Sequence, residues 1–203
     1  MLLHRILKTL AFVACLVPLV SLGWRGATAG LGANPIETIT HTTGDWTLRL
    51  LLITLAVTPL RRLTGWNRLI RYRRMVGLFA FFYASLHLIT YLWLDQFFSV
   101  TGILKDIGKR PFITVGALAY SSLVPLAATS TAGSIRRLGG RRWQRLHRLV
   151  YLAALAGVVH YWWLVKADVR LPLTYGAVLT VLLGYRLVRW AVRMRQGPAR
   201  PRR

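Results

Sequence analysis

Apolar residues in this chain gather into six long blocks: about Leu7–Gly23, Trp46–Leu60, Val76–Leu94, Phe112–Thr129, Leu149–Val165 and Leu171–Trp190. A helix needs about 20 predominantly apolar residues to cross the hydrocarbon core of a bilayer, and these runs approach or reach that length. The second block is short and carries Arg49 near its start, where a long side chain can snorkel to the interface. The pattern predicts an all-α membrane protein, a six-helix transmembrane bundle.

Charge separates the connecting segments into two sets. Arg5 and Lys8, six arginines between Arg61 and Arg74, six more between Arg136 and Arg148, and seven from Arg186 onward make up 21 of the 28 basic residues. The alternate segments hold the other seven and every acidic residue: Glu37, Asp45, Asp95, Asp106 and Asp168. The positive-inside rule then puts both termini in the cytoplasm. A net charge of +23 would suggest nucleic acid as the partner of a soluble protein, but here the arginines punctuate apolar runs and form no single face. The expected surface partner is membrane lipid, and no nucleic acid is expected.

Tryptophans support the same map. Trp24, Trp46, Trp93, Trp162, Trp163 and Trp190 fall at block ends, with Trp66 and Trp143 in the basic loops, as interfacial belts require. Ala27-Thr28-Ala29 after the first block also admits a cleavable signal, whose removal would leave the orientation of the other five helices unchanged. Cys15 is the single cysteine, so an intramolecular disulfide and a CxxC metal pair are both excluded. No internal repeat is visible, and the Arg/Pro-rich stretch 196–203 is expected to be a disordered tail near anionic headgroups.

Of five histidines, His4 and His41 are expected to be solvated, in a terminus and a loop. His87 and His160 lie inside blocks, where an ionisable group is by default a functional hypothesis. Both fall in the outer half of an outward-running helix, whereas His147 lies about 20 Å below His160 at the cytoplasmic edge. Zinc would want four ligands and a proton relay would want buried carboxylates, neither expected at this depth. A haem iron needs only two axial imidazoles. Ala84, Ser85, Ala156 and Gly157 offer room for close approach, with Tyr83, Tyr91 and Tyr161 near. The alternative is that the two histidines hydrogen-bond between helices.

The segments RRMVGLFAFFYASLHLITYLWLD, KRPFITVGALAYSSLVPLAATST and LGGRRWQRLHRLVYLAALAGVVHYWWLVK, in this order, resemble the MsrQ family. Its members are haem-binding membrane subunits of bacterial protein-methionine-sulfoxide reductase systems, within the ferric-reductase-like transmembrane superfamily. The resemblance implies one such domain over residues 1–203, with its core at about 47–190, in the bacterial inner membrane. It implies a b-type cytochrome that passes electrons to MsrP, a periplasmic molybdenum enzyme repairing oxidised methionines, with no methionine chemistry on this chain. Electrons would come from a cytoplasmic flavin reductase or from quinol, with FMN as a further cofactor.

The family's three histidines correspond to His87, His147 and His160, of which His87 and His160 would be the axial ligands of the haem iron. Two-haem members of the superfamily carry a histidine pair on each of two helices. Here only the fifth helix has one, because Arg74 and Arg73 stand thirteen and fourteen positions before His87. His147, with Trp143, Gln144, Arg73 and Arg74, would form an inner site for a second haem or for FMN, since guanidinium binds phosphate well. No GxGxxG follows a strand, so NAD(P)H binding is not expected. Two rivals remain: a self-contained ferric or quinone reductase, and a cofactor-free transporter or assembly factor.

Overall fold

The computed structural model describes residues 2–196, with side chains from Arg5 onward; the remainder of the expected tail, and the His4 side chain, lie outside the described residues. Among the described residues there is no strand. The helices are α1 (Leu2–Thr28), α2 (Pro35–Thr64), α3 (Ile70–Ile89), α4 (Val100–Lys109), α5 (Pro111–Ala128), α6 (Ala132–Leu138), α7 (Gly140–Leu146), α8 (Leu149–Leu164) and α9 (Arg170–Arg195). A π-helical segment, Thr90–Asp95, continues α3 immediately after His87 and Ile89.

Each apolar block lies in a helix, but α2 starts eleven residues before the expected Trp46. Asn34 caps it by accepting the Glu37 amide at 3.2 Å, and Pro35 occupies the first turn, where its missing N–H costs nothing. The polar letters that follow are compatible with a helix because Thr40, Thr43 and Thr47 donate to carbonyls four residues back. Gly65, at φ 71°, ends it in the left-handed conformation. His41 is therefore a helical residue, not a loop residue as expected, and Asp45 and Arg49 lie well inside α2.

Four helical stretches are long and apolar enough to cross a membrane: Arg5–Thr28, Asn67–Asp95, Pro111–Ala128 and Arg170–Arg195. The other two blocks sit in α2, which carries several charges, and in α8, whose sixteen residues span only about 24 Å.

Close contacts fix the directions of the helices. Thr40 meets His87 and Thr54 meets Gly77, so α2 and α3 are antiparallel. Phe112 meets His160 and Thr129 meets Trp143, so the chain running from α5 through α7 into α8 also doubles back. Phe12 stacks edge-on against Phe79 and Cys15 lies by Tyr83, so α1 runs parallel to α3. In α9, Tyr175 lies by Tyr161 and Arg186 lies by Tyr151, antiparallel to α8. The six long helices thus alternate in direction, and the chain's described termini lie at the same end as the arginine-rich turns. We call this the basic end.

Small residues let the centre close. Ala80 and Ala154 are fully buried, with Ala84, Ala153 and Leu55 beside them in one core. The outer surface is apolar, with Val20, Ile53, Val181 and Leu187 exposed, the reverse of a water-soluble domain. At α1, Pro18 interrupts the helix, and the buried hydroxyl of Tyr83 enters the backbone ladder there. It accepts from the Leu19 amide at 3.2 Å and donates to the Cys15 carbonyl at 2.8 Å. One tyrosine thereby fastens α1 to the helix that carries His87.

Candidate functional site

Away from the basic end, His87 on α3 and His160 on α8 bring their rings to a centroid separation of 6.1 Å, with planes crossed at 84°. His87 Nδ1 lies 2.9 Å from the Thr40 carbonyl, and His160 Nδ1 lies 2.6 Å from the Phe112 carbonyl. A carbonyl can only accept, so each Nδ1 carries the proton and donates it. In the neutral form of such a ring, Nε2 is left with its lone pair.

Among the described residues no group of three or more His, Cys, Asp or Glu side chains could hold a metal ion. Two imidazoles alone suit a metal whose remaining ligands come from a macrocycle. With imidazole–metal bonds of about 2 Å and a ring radius of about 1.1 Å at each end, opposed Nε2 ligands set the ring centres about 6 Å apart. The observed separation fits that spacing.

Beside this pair lies a polar cluster that the sequence reading missed. Arg49 approaches Asp45 at 3.6 Å and donates from Nε to the Tyr175 hydroxyl at 2.9 Å, while the Tyr161 hydroxyl lies near Asp45. It joins α2, α8 and α9 next to His160, so a carboxylate does lie near this depth. The cues were the Asn34-Pro35 helix start and the four-residue spacing of Asp45 and Arg49. Both were hidden by the assumption that the helix begins at Trp46.

At the basic end, Trp143 stacks on His147 at 3.8 Å between ring centres, 27° from parallel. Trp143 is itself held by its indole N–H, which donates to the Thr129 carbonyl at 2.9 Å. His147 Nδ1 donates to the Trp143 carbonyl at 3.2 Å, and its Nε2 is buried without a partner. Burial pushes the His147 imidazole below its usual range against that hydrogen bond, and the positive charge of Arg73 adds to the lowering. The ring stays neutral at pH 7, with a lone pair on Nε2.

Of the two arginines expected here, Arg73 is half-buried and close enough for its charge to act on His147 and Tyr151, whereas Arg74 and Gln144 are exposed. The sequence reading also missed Arg186. It counted among the basic tail charges, yet it turns inward, donates to the Leu182 and Leu55 carbonyls and lies 5.4 Å from the Tyr151 ring centre. The two histidine sites are thirteen residues apart on one helical stretch, about 20 Å along its axis.

Residues 43–158 match the family described as ferric reductase like transmembrane component. A relative from Herminiimonas arsenicoxydans, described as the protein-methionine-sulfoxide reductase heme-binding subunit MsrQ, is 56% identical over 92% of this chain and 86% of its own length. Relatives of the same description from Rhodospirillum rubrum and Bordetella pertussis are 55% and 51% identical, each over 96% of this chain and 94% of their own. The chain belongs to the MsrQ family, within the ferric reductase like transmembrane components.

Proposed function

We propose that the protein is the haem b subunit of a methionine-sulfoxide reductase system in the bacterial inner membrane. It would accept electrons from a cytoplasmic flavin reductase or from quinol and deliver them to periplasmic MsrP. His87 and His160 would be the axial ligands. The observation that carries this reading is their shared state: two imidazoles at the spacing of a metal between them, each with Nδ1–H committed to a carbonyl and Nε2 left to bind. Haem so held supplies a one-electron couple, and FMN at the inner site would supply a link between two-electron donors and that couple. The chain itself binds, orients and insulates; reduction of the sulfoxide belongs to the partner.

For the inner site we favour FMN over a second haem. The position thirteen residues before His87 is Arg74, so a second bis-histidine pair lacks its partner. The buried His147 Nε2 would meet a hydrogen-bond donor on the flavin, and Arg73 offers a guanidinium for its phosphate.

The alternating helices support an arrangement in the membrane. All six would cross, with both termini and the arginine-rich turns cytoplasmic by the positive-inside rule. α2 and α8 would cross as central members, shielded by neighbours. The outer histidine pair would then lie toward the periplasm and the inner site toward the cytoplasm, in the order of the electron flow.

Reconstitution tests the reading. Liposomes carrying the protein, with flavin reductase and NADH inside and MsrP with methionine sulfoxide outside, should consume NADH as methionine forms. Vesicles with His160→Ala protein should not. Equal turnover in both would overturn it.

A further inference from the structure

The two histidine seats are built alike, although the sequence shows no repeat. In one, the Thr40 carbonyl of α2 accepts from His87, 47 residues later; in the other, the Phe112 carbonyl of α5 accepts from His160, 48 residues later. Four positions after each carbonyl residue stands a glycine, Gly44 or Gly116. In a helix the amide of residue i+4 bonds the carbonyl of residue i, so each glycine's own N–H shares that carbonyl with the imidazole. A Cβ on Gly44 would lie 3.1 Å from Nδ1 and Cε1 of His87. On Gly116 it would lie 2.8 Å from Nδ1 and 2.9 Å from Cε1 of His160. Each hairpin has its first helix running toward the basic end and its second running back, as a two-fold axis along the bundle would relate them. The segments Thr40-His41-Thr42-Thr43-Gly44 and Phe112-Ile113-Thr114-Val115-Gly116 share only a threonine and the glycine.

We propose that Gly44 and Gly116 are paired positioning residues for the axial ligands. Each opens a notch in which the ring reaches a backbone carbonyl already engaged in its helix. The carbonyl fixes the proton on Nδ1, aims Nε2 into the bundle and raises the ligand's basicity, which favours the oxidised iron. A methyl in the notch drives the ring off its acceptor. The effect is graded: the ring at Gly116 must move outright, while the ring at Gly44 must yield by a few tenths of an ångström. Alanine is a better helix former than glycine, so the backbone itself has no reason to fail.

This inference rests on the haem ligation proposed above, and the experiment separates the two. Full-length wild type, Gly44→Ala, Gly116→Ala, Gly176→Ala, His87→Ala and His160→Ala are purified with haem. Each is measured for helicity, haem affinity, low-spin EPR signal and midpoint potential. Gly176 is the control, because a Cβ there meets Val158 only at an ordinary 3.8 Å.

The expected result for Gly116→Ala is native helicity, a raised midpoint potential, an altered low-spin signal and haem affinity lower by about 10–100-fold, the usual cost of removing an outer-shell partner. Gly44→Ala should shift the same way by less, and Gly176→Ala should match wild type. Wild-type potential and EPR signal in both Gly44→Ala and Gly116→Ala would overturn the proposal. So would an equal shift in Gly176→Ala, or loss of helicity in both notch variants, which would make the glycines packing residues. If His87→Ala and His160→Ala keep the wild-type low-spin haem, the ligand assignment itself falls, whatever the glycine variants do.

Discussion

Replacing Tyr83 by Phe should loosen α1 from the bundle without disturbing the ring's own packing. Tyr83 is 1% exposed, so the phenyl ring keeps its contacts and only the hydroxyl is lost. That hydroxyl makes two hydrogen bonds, from the Leu19 amide and to the Cys15 carbonyl. Interhelical hydrogen bonds in a membrane protein average about 0.6 kcal/mol and reach about 1.7, so losing two should cost about 1–3 kcal/mol. The lower part of that range applies if the Leu19 amide recovers Cys15, its own helical partner, but the Pro18 ring beside it opposes a straight ladder. Unfolding in mixed micelles by SDS titration, followed by circular dichroism, measures the difference. Tyr120→Phe, which removes a single 3.2 Å bond to Ser85, is the smaller reference. A Tyr83→Phe protein no less stable than Tyr120→Phe would refute the idea that the hydroxyl fastens α1.

Arg73→Gln should lower FMN affinity about 10–100-fold, the loss of a charge-assisted hydrogen bond of about 1.5–3 kcal/mol, read by flavin fluorescence on titration. The outer haem spectrum should stay unchanged. Because burial and Arg73 depress the His147 pKa in the folded protein, the unfolded chain takes up this proton first. Stability should therefore fall as pH drops below the ordinary histidine value, and His147→Gln should make that fall shallower in thermal melts between pH 7.5 and 5, a range chosen around about 6.5. A C-terminal green fluorescent protein fusion should fluoresce and an alkaline phosphatase fusion at the same point should be inactive; the opposite pair of results would invert the proposed orientation.

The apolar blocks were legible because lipid imposes length and composition directly on a helix. The start of α2 was not. Its first turns are threonine-rich, and a threonine whose hydroxyl bonds back to its own helix looks in the sequence like one in a loop. His41, Asp45 and the Arg49 cluster were misplaced or missed for that one reason. His87 and His160 could be paired from depth alone, but the carbonyls that orient them could not, since a backbone acceptor leaves no mark on residue type. Gly44 and Gly116 are the trace that remains, and it is intelligible only once the rings are seen against them. At the inner site the sequence names Arg73 and Arg74 together and does not separate them. About 100° of helical rotation separates neighbours, and that rotation leaves Arg73 half-buried, where its charge acts on His147, and Arg74 exposed. Arg186 read as a topological charge because its acceptor, the Leu55 carbonyl, is distant in the chain.

The central claim is that one haem iron is held between His87 and His160. Low-temperature EPR of the oxidised purified protein, with haem quantified as the pyridine haemochrome, tests it most directly. The account predicts b-type haem with a low-spin signal of two imidazole ligands, and loss of that signal in both His87→Ala and His160→Ala. Protein without haem, or a wild-type low-spin signal surviving in either variant, would contradict it.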